Sequence, residues 1–135
     1  MKVLTRRRTG ETMGYAMPPP VAFLLDLGLV LIFSAFGRAS HGQFIDAAGT
    51  LGTAWPFLVG TAMGWALAWW IRKVPPMNAN DGVLVWLATF SIGMALRVLT
   101  GAGTAPAFIA VTMVVTAILL LGWRFVADLV VMRRR

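Results

Sequence analysis

Apolar residues gather into four long runs, at about 21–37, 53–71, 83–96 and 106–123, separated by short stretches rich in proline, glycine, asparagine and arginine. A bilayer core needs roughly 20 apolar residues per crossing helix, and a helix satisfies its own backbone where lipid cannot. The pattern predicts an all-α polytopic membrane protein, a four-helix transmembrane bundle of two hairpins. The third run is short unless Arg97 lies at an interface, and the fourth can continue as helix through Leu129-Val130-Val131-Met132. Pro18-Pro19-Pro20 stiffens the entry to the first span. Pro75-Pro76 with Asn78-Ala79-Asn80-Asp81-Gly82 makes a tight polar turn, and 100–106 makes another. Pro56 fits the start of the second span, where a missing N–H is tolerated. The organisation is a basic tail (1–20), one transmembrane domain (21–132) and a basic end (133–135).

Composition removes the main rivals. The chain has 135 residues, 59% of them hydrophobic and 13% charged, whereas soluble domains run near 45–50% and about 25%. A net charge of +7 would raise nucleic acid as a partner. Here the basic residues punctuate apolar runs and form no polar face, so the partner is the lipid bilayer and no nucleic acid is expected. Lys2, Arg6, Arg7 and Arg8, then Arg72 and Lys73, then Arg124, Arg133, Arg134 and Arg135 fall on one side, leaving Arg38 and Arg97 on the other. The positive-inside rule then predicts N-in and C-in, with the 39–52 and 98–105 loops outside. Trp69, Trp70, Trp86 and Trp123 fall near the inner interface and Trp55 near the outer one. The basic opening is not expected to be an export signal, because Asp26 interrupts the apolar run and no clean cleavage site follows. Without cysteine and with the single histidine His41, neither a metal site nor a cofactor is expected.

Two internal patterns bear on packing. Arg38-Ala39-Ser40-His41-Gly42 matches Arg97-Val98-Leu99-Thr100-Gly101 as Arg-x-x-x-Gly, and Gly52-Thr53-Ala54 matches Gly103-Thr104-Ala105. Duplicated hairpins would be related by an axis along the membrane normal; Gly60-Thr61-Ala62, a third copy of the triplet, leaves coincidence open. Pro56, Gly60, Gly64 and Ala68 recur every four residues, and Gly60 with Gly64 forms a GxxxG segment that lets helix backbones approach closely. That face packs either within the monomer or as the seam of a homodimer.

Charge inside a membrane is costly and calls for a partner. Asp26 lies about six residues past Pro20, roughly 9 Å along a helix, and Arg124 about eighteen past Pro106, roughly 27 Å along, so antiparallel spans bring them to one level. Asp26 and Arg124 are the candidate intramembrane ion pair; the alternatives are a coupling carboxylate at Asp26, or Asp128 as the arginine's partner one turn on. On the outer side, Arg38, His41, Arg97, Thr100 and Thr104 gather near the helix N-termini at Thr53 and Thr104. Free amides and two arginines suit a small anion or a lipid headgroup. The structural alternative is that each arginine caps its own helix and reaches to water. His41 has no neighbouring nucleophile or carboxylate pair in the sequence, so no enzymatic activity is expected.

Gly37-Arg38-Ala39-Ser40-His41-Gly42, the run 53–60, Gly93-Met94-Ala95-Leu96-Arg97 and Thr100-Gly101-Ala102-Gly103-Thr104-Ala105 together resemble the motifs of the domain-of-unknown-function family numbered 3054. The likeness covers about residues 22–132. It implies a small prokaryotic integral membrane protein with four spans, and it implies no reaction, substrate or cofactor; with the N-in and C-in topology, the expected location is the cytoplasmic membrane. The functional expectation is transport-like or anion- and headgroup-binding behaviour at the outer face. Its alternative is a structural or assembly protein packing through the small-residue face.

Overall fold

The structure, a computed structural model, describes residues 17–40 and 42–133. Four helices follow in order: α1 Pro19–Ser40, α2 Ala47–Arg72, α3 Ala79–Leu99 and α4 Pro106–Arg133. Each helix packs on its neighbours in the chain, and α1 also touches α4. The most extensive seam joins α2 to α3. No strand occurs among the described residues.

The helices outrun the apolar stretches because their ends are set by capping groups. Asp46 caps α2, its carboxylate accepting from the Gly49 amide at 3.1 Å. Asn78 caps α3 in the same way through the Asp81 amide at 2.8 Å. The second helix therefore begins at Ala47, not at Thr53, and Pro56 lies inside it. There the ring removes one backbone hydrogen bond from the helix, a cost a starting proline would not carry. α4 opens on Pro106 and continues unbroken to Arg133.

Three helices, α1, α3 and α4, are long and apolar enough to cross a membrane. They turn Leu24, Ile32, Phe36, Leu87, Val98, Val111, Val114 and Ile118 outward, an apolar exterior suited to lipid. α2 is 26 residues long but diluted with Gly, Thr, Trp and Pro, and those residues serve packing. A Cβ on Gly60 would lie 2.7 Å from the Ala88 carbonyl oxygen, and one on Gly64 2.9 Å from the Ala88 Cβ. The GxxxG face is thus seated on α3 within the chain. Beside it Thr61 Oγ1 and Thr89 Oγ1 share a hydrogen bond of 2.8 Å.

The core has two parts. Ala22, Trp65, Ala68, Met77 and Val85 pack together near the loop between α2 and α3. Val30, Ala54, Phe57 and Met94 pack toward the opposite end. Phe57 lies so close to Gly93 that a Cβ there would strike its ring.

Candidate functional site

Charged side chains concentrate at both ends of the molecule. At the end formed by the start of α1 and the loop between α2 and α3, Asp26 faces Arg124, and neither side chain has any exposed surface. The guanidinium grips the carboxylate with both terminal nitrogens, Nη1 to Oδ1 at 3.0 Å and Nη2 to Oδ2 at 2.6 Å. Two tryptophans complete the shell: Trp123 Nε1 donates to Oδ1 at 2.7 Å and Trp65 Nε1 to Oδ2 at 2.6 Å. Asp26 thereby accepts four hydrogen bonds, the full complement of an ionised carboxylate. Arg124 spends Nε on the Pro76 carbonyl at 2.9 Å and Nη1 also on the Leu120 carbonyl at 2.9 Å. The Trp123 ring centroid lies 4.6 Å from its Cζ. Gly82 makes room, since a Cβ there would collide with Arg124 Cδ.

This cluster ties four segments together and leaves Asp26 no free acceptor. Asp128 is occupied elsewhere: its Oδ2 accepts from the Ala79 amide at 3.0 Å. It braces the N-terminus of α3, where negative charge is favourable, and does not compete for Arg124. Asp81, in the first turn of the same helix, pairs with Arg72 at 2.9 Å.

At the other end, two arginine loops are built alike. After α1, the Gln43 amide bonds the Arg38 carbonyl at 2.8 Å and the Gly42 amide the Ala39 carbonyl at 3.0 Å. After α3, the Ala102 amide bonds the Arg97 carbonyl at 2.8 Å and the Gly101 amide the Val98 carbonyl at 3.2 Å. Gly42 and Gly101 hold φ of 73° and 77°, the left-handed residue that this helix ending requires. Each arginine then folds forward onto a carbonyl six residues on, Arg38 Nε to Phe44 at 2.8 Å and Arg97 Nε to Gly103 at 3.0 Å.

The two guanidinium groups differ in what else they touch. Arg38 Nη1 reaches Thr53 Oγ1 at 3.4 Å, and Nη2 lies 3.9 Å from Asp46 Oδ1. Arg97 adds a second bond from Nη2 to the Gly103 carbonyl at 2.5 Å and stacks over Phe108 at 4.3 Å. Among the described residues it pairs with no carboxylate. Arg38 and Arg97 line one cavity of about 210 Å³, with Thr53 and Ser34 on its wall and Phe33 and Phe108 also lining it. Phe57 packs behind them, edge-on against Phe33 at 6.0 Å and tilted against Phe108 at 6.4 Å.

The structure thus brings Arg38, Arg97 and Thr53 together and leaves two predicted partners out. Thr100 turns its hydroxyl back onto the Leu96 and Arg97 carbonyls at 2.8 and 3.2 Å, and Thr104 does not line the cavity. The α2 N-terminus is not free for a ligand, because helix formation starts six residues before Thr53 and Asp46 occupies the cap. His41 lies outside the described residues. Trp65, Pro76 and Gly82, which complete the buried cluster, carry no sequence signal for that role. Trp123 carries the signal of an interface residue, which does not mark it as a donor to Asp26.

No curated protein and no solved structure matches the chain. One family model does, over residues 23–127, a range that includes Asp26, Arg38, Arg97 and Arg124. The arginine loops and the buried pair are therefore features of a chain that belongs to the family described as "Protein of unknown function (DUF3054)".

Proposed function

We propose that the chain is a four-span protein of the cytoplasmic membrane, with N-in and C-in topology, that binds a small oxyanion at its outer face, free or as the headgroup of a lipid. The observation that carries this reading is the shared cavity: arginines from two different helices open into one space of about 210 Å³. That is the volume of about seven liquid waters, enough for a phosphate or carboxylate group. Arg97 supplies a cation with no acidic partner among the described residues, and Arg38 holds Asp46 only at 3.9 Å. Arg72, Lys73 and Arg133 lie at or near the opposite ends of their helices, which supports placing the cavity outside. α2 completes the four-helix bundle as a span whose weaker apolar character is offset by its seam with α3.

Binding is better supported than passage. A path from the cavity toward Asp26 would cross the layer of Val30, Ala54, Phe57 and Met94, which is packed. The hydroxyls Ser34, Thr61 and Thr89 on that route each bond the carbonyl one turn back in their own helix. We assign no catalytic step, since Ser34 has no carboxylate beside it in the cavity lining. The assembly alternative loses its main support because Gly60 and Gly64 are covered by α3.

The test is titration of inorganic phosphate and sulfate into the detergent-purified full chain, read as a shift in melting temperature. Saturable stabilisation is expected for the wild type and is lost in Arg97→Gln. Equal responses from both proteins would end the proposal.

A further inference from the structure

Beside the arginine cavity runs a second depression that carries almost no charge. It measures about 530 Å³ and is lined by Leu31, Ile32 and Ala35 of α1, by Ile45 and Asp46 just before α2, and by Leu51 in α2. The boundary between the two is one ion pair: Arg38 belongs to the cavity, Asp46 to the groove, and 3.9 Å separates Nη2 from Oδ1. At the rim, Phe44 and Ile45 expose 86% and 59% of their surface. Apolar side chains standing free beside an apolar groove are costly in water and favourable against acyl chains.

We infer that the anion held by Arg38 and Arg97 is the headgroup of an anionic lipid, and that one of its acyl chains lies in the groove along α1. The inference rests on the anion-binding reading above and adds the chemical class of ligand. A free phosphate would use the cavity and leave the groove idle. A lipid with an oxyanion near its glycerol backbone uses both, because charge and apolar surface adjoin within one ion-pair distance. Asp46 opposes the headgroup by holding part of Arg38, while its bond from the Gly49 amide fixes it at the helix cap. Asparagine caps a helix as well as aspartate does, so Asp46→Asn removes the competing charge and keeps the cap.

Binding is measured on the full chain in dodecyl maltoside micelles by native mass spectrometry and melting shift. The probes are dioleoyl phosphatidylglycerol, dioleoyl phosphatidylcholine and inorganic phosphate. The wild type is expected to bind phosphatidylglycerol at least tenfold tighter than either of the others, and Asp46→Asn to tighten it severalfold. Ala35→Trp, which fills the groove, should bring phosphatidylglycerol down to the level of inorganic phosphate and leave phosphate binding unchanged. Ile45→Glu, an exposed rim position that the fold does not depend on, should weaken the lipid in the same selective way and serves if Ala35→Trp does not fold. Unchanged phosphatidylglycerol binding in the groove variants, with Arg97→Gln still weakening both anions, overturns the lipid inference and leaves anion binding standing. No effect of Arg97→Gln on either anion overturns both. Equal affinity for phosphatidylcholine and phosphatidylglycerol overturns the charge selection and the inference with it.

Discussion

Arg124 and Arg97 both sit on membrane-span-like helices, and the chain treats them differently. Arg124 meets a carboxylate, two carbonyls and two indole rings, and no surface of its side chain or of Asp26 reaches solvent. Arg97 commits Nε and Nη2 to a single carbonyl, rests on one phenylalanine and opens into a cavity. The difference follows from dielectric. A charge with no access to water survives only when its partners are complete, so the Asp26 cluster is saturated and therefore structural. A half-buried charge that opens into a cavity can remain incomplete, and incompleteness is what a ligand requires. The same residue type is thus fully enclosed at one end and opens into a cavity at the other.

Breaking the saturated end should have the largest effect. Asp26→Leu leaves Arg124 buried without its counter-charge, and about 3–5 kcal/mol of stability should be lost. Unfolding in mixed detergent and dodecyl sulfate measures it. Replacing both partners, Asp26→Leu with Arg124→Leu, should recover most of that loss, because two leucines leave no orphaned charge. A double variant as unstable as the sum of the singles would show that the pair is not a closed unit. Next in size come the indole donors. Trp65→Phe and Trp123→Phe each remove one hydrogen bond to a charged acceptor, worth about 1.5–3 kcal/mol. If either substitution is neutral, Asp26 is less completely held than the four contacts imply.

A matched pair of glycine substitutions sharpens the contrast. A Cβ on Gly82 would meet Arg124, and a Cβ on Gly49 would meet both the Arg38 guanidinium and the Asp46 carboxylate. The first arginine is fixed by its neighbours, so Gly82→Ala should cost about 1–3 kcal/mol, as overpacking does. The second can swing toward the cavity, leaving only the Asp46 cap to be disturbed, so Gly49→Ala should cost about 1 kcal/mol, the size of a weakened cap. A loss at Gly49→Ala as large as the upper end for Gly82→Ala, measured in the same unfolding assay, would mean that Arg38 and Asp46 are as confined as Arg124.

Much of this architecture can be read from residues alone because it rests on periodic or one-dimensional quantities. Helix rise places Asp26 and Arg124 at one level, apolar run length marks all four helices although only α1, α3 and α4 are apolar enough to cross a membrane, and the Arg-x-x-x-Gly repeat marks two loops that share one hydrogen-bond pattern. What escapes is what depends on the third dimension. A tryptophan near a span end looks the same whether it stands exposed, as Trp69 and Trp70 do, or donates to a buried carboxylate, as Trp123 does. A backbone carbonyl such as that of Pro76 has no residue code at all. Asp128 is one turn from Arg124, yet the start of α3 presents an unpaired amide to it and takes it. Pro56 misled for a local reason: Asp46 starts the helix early, which carries the proline from the first turn to the interior.

The smallest expected effect belongs to the open end, and it is the one that separates a cap from a site. If Arg97 serves only to cap α3 and to staple the following loop, Arg97→Gln should loosen that loop and do nothing to ligands. Its bonds to the Gly103 carbonyl are exposed, and exposed interactions of this kind contribute about 0–1 kcal/mol. Stability should therefore change by less than about 1 kcal/mol on that scale, against several for Asp26→Leu, while phosphate-induced stabilisation disappears. Arg97→Lys separates the two roles further. A lysine keeps the charge but cannot offer the planar fork that grips an oxyanion with two donors, so its melting temperature without ligand should match the wild type and its response to phosphate should fall to a fraction. If Arg97→Gln instead destabilises the chain as much as Asp26→Leu does, both arginines are structural and the contrast between the two ends is wrong.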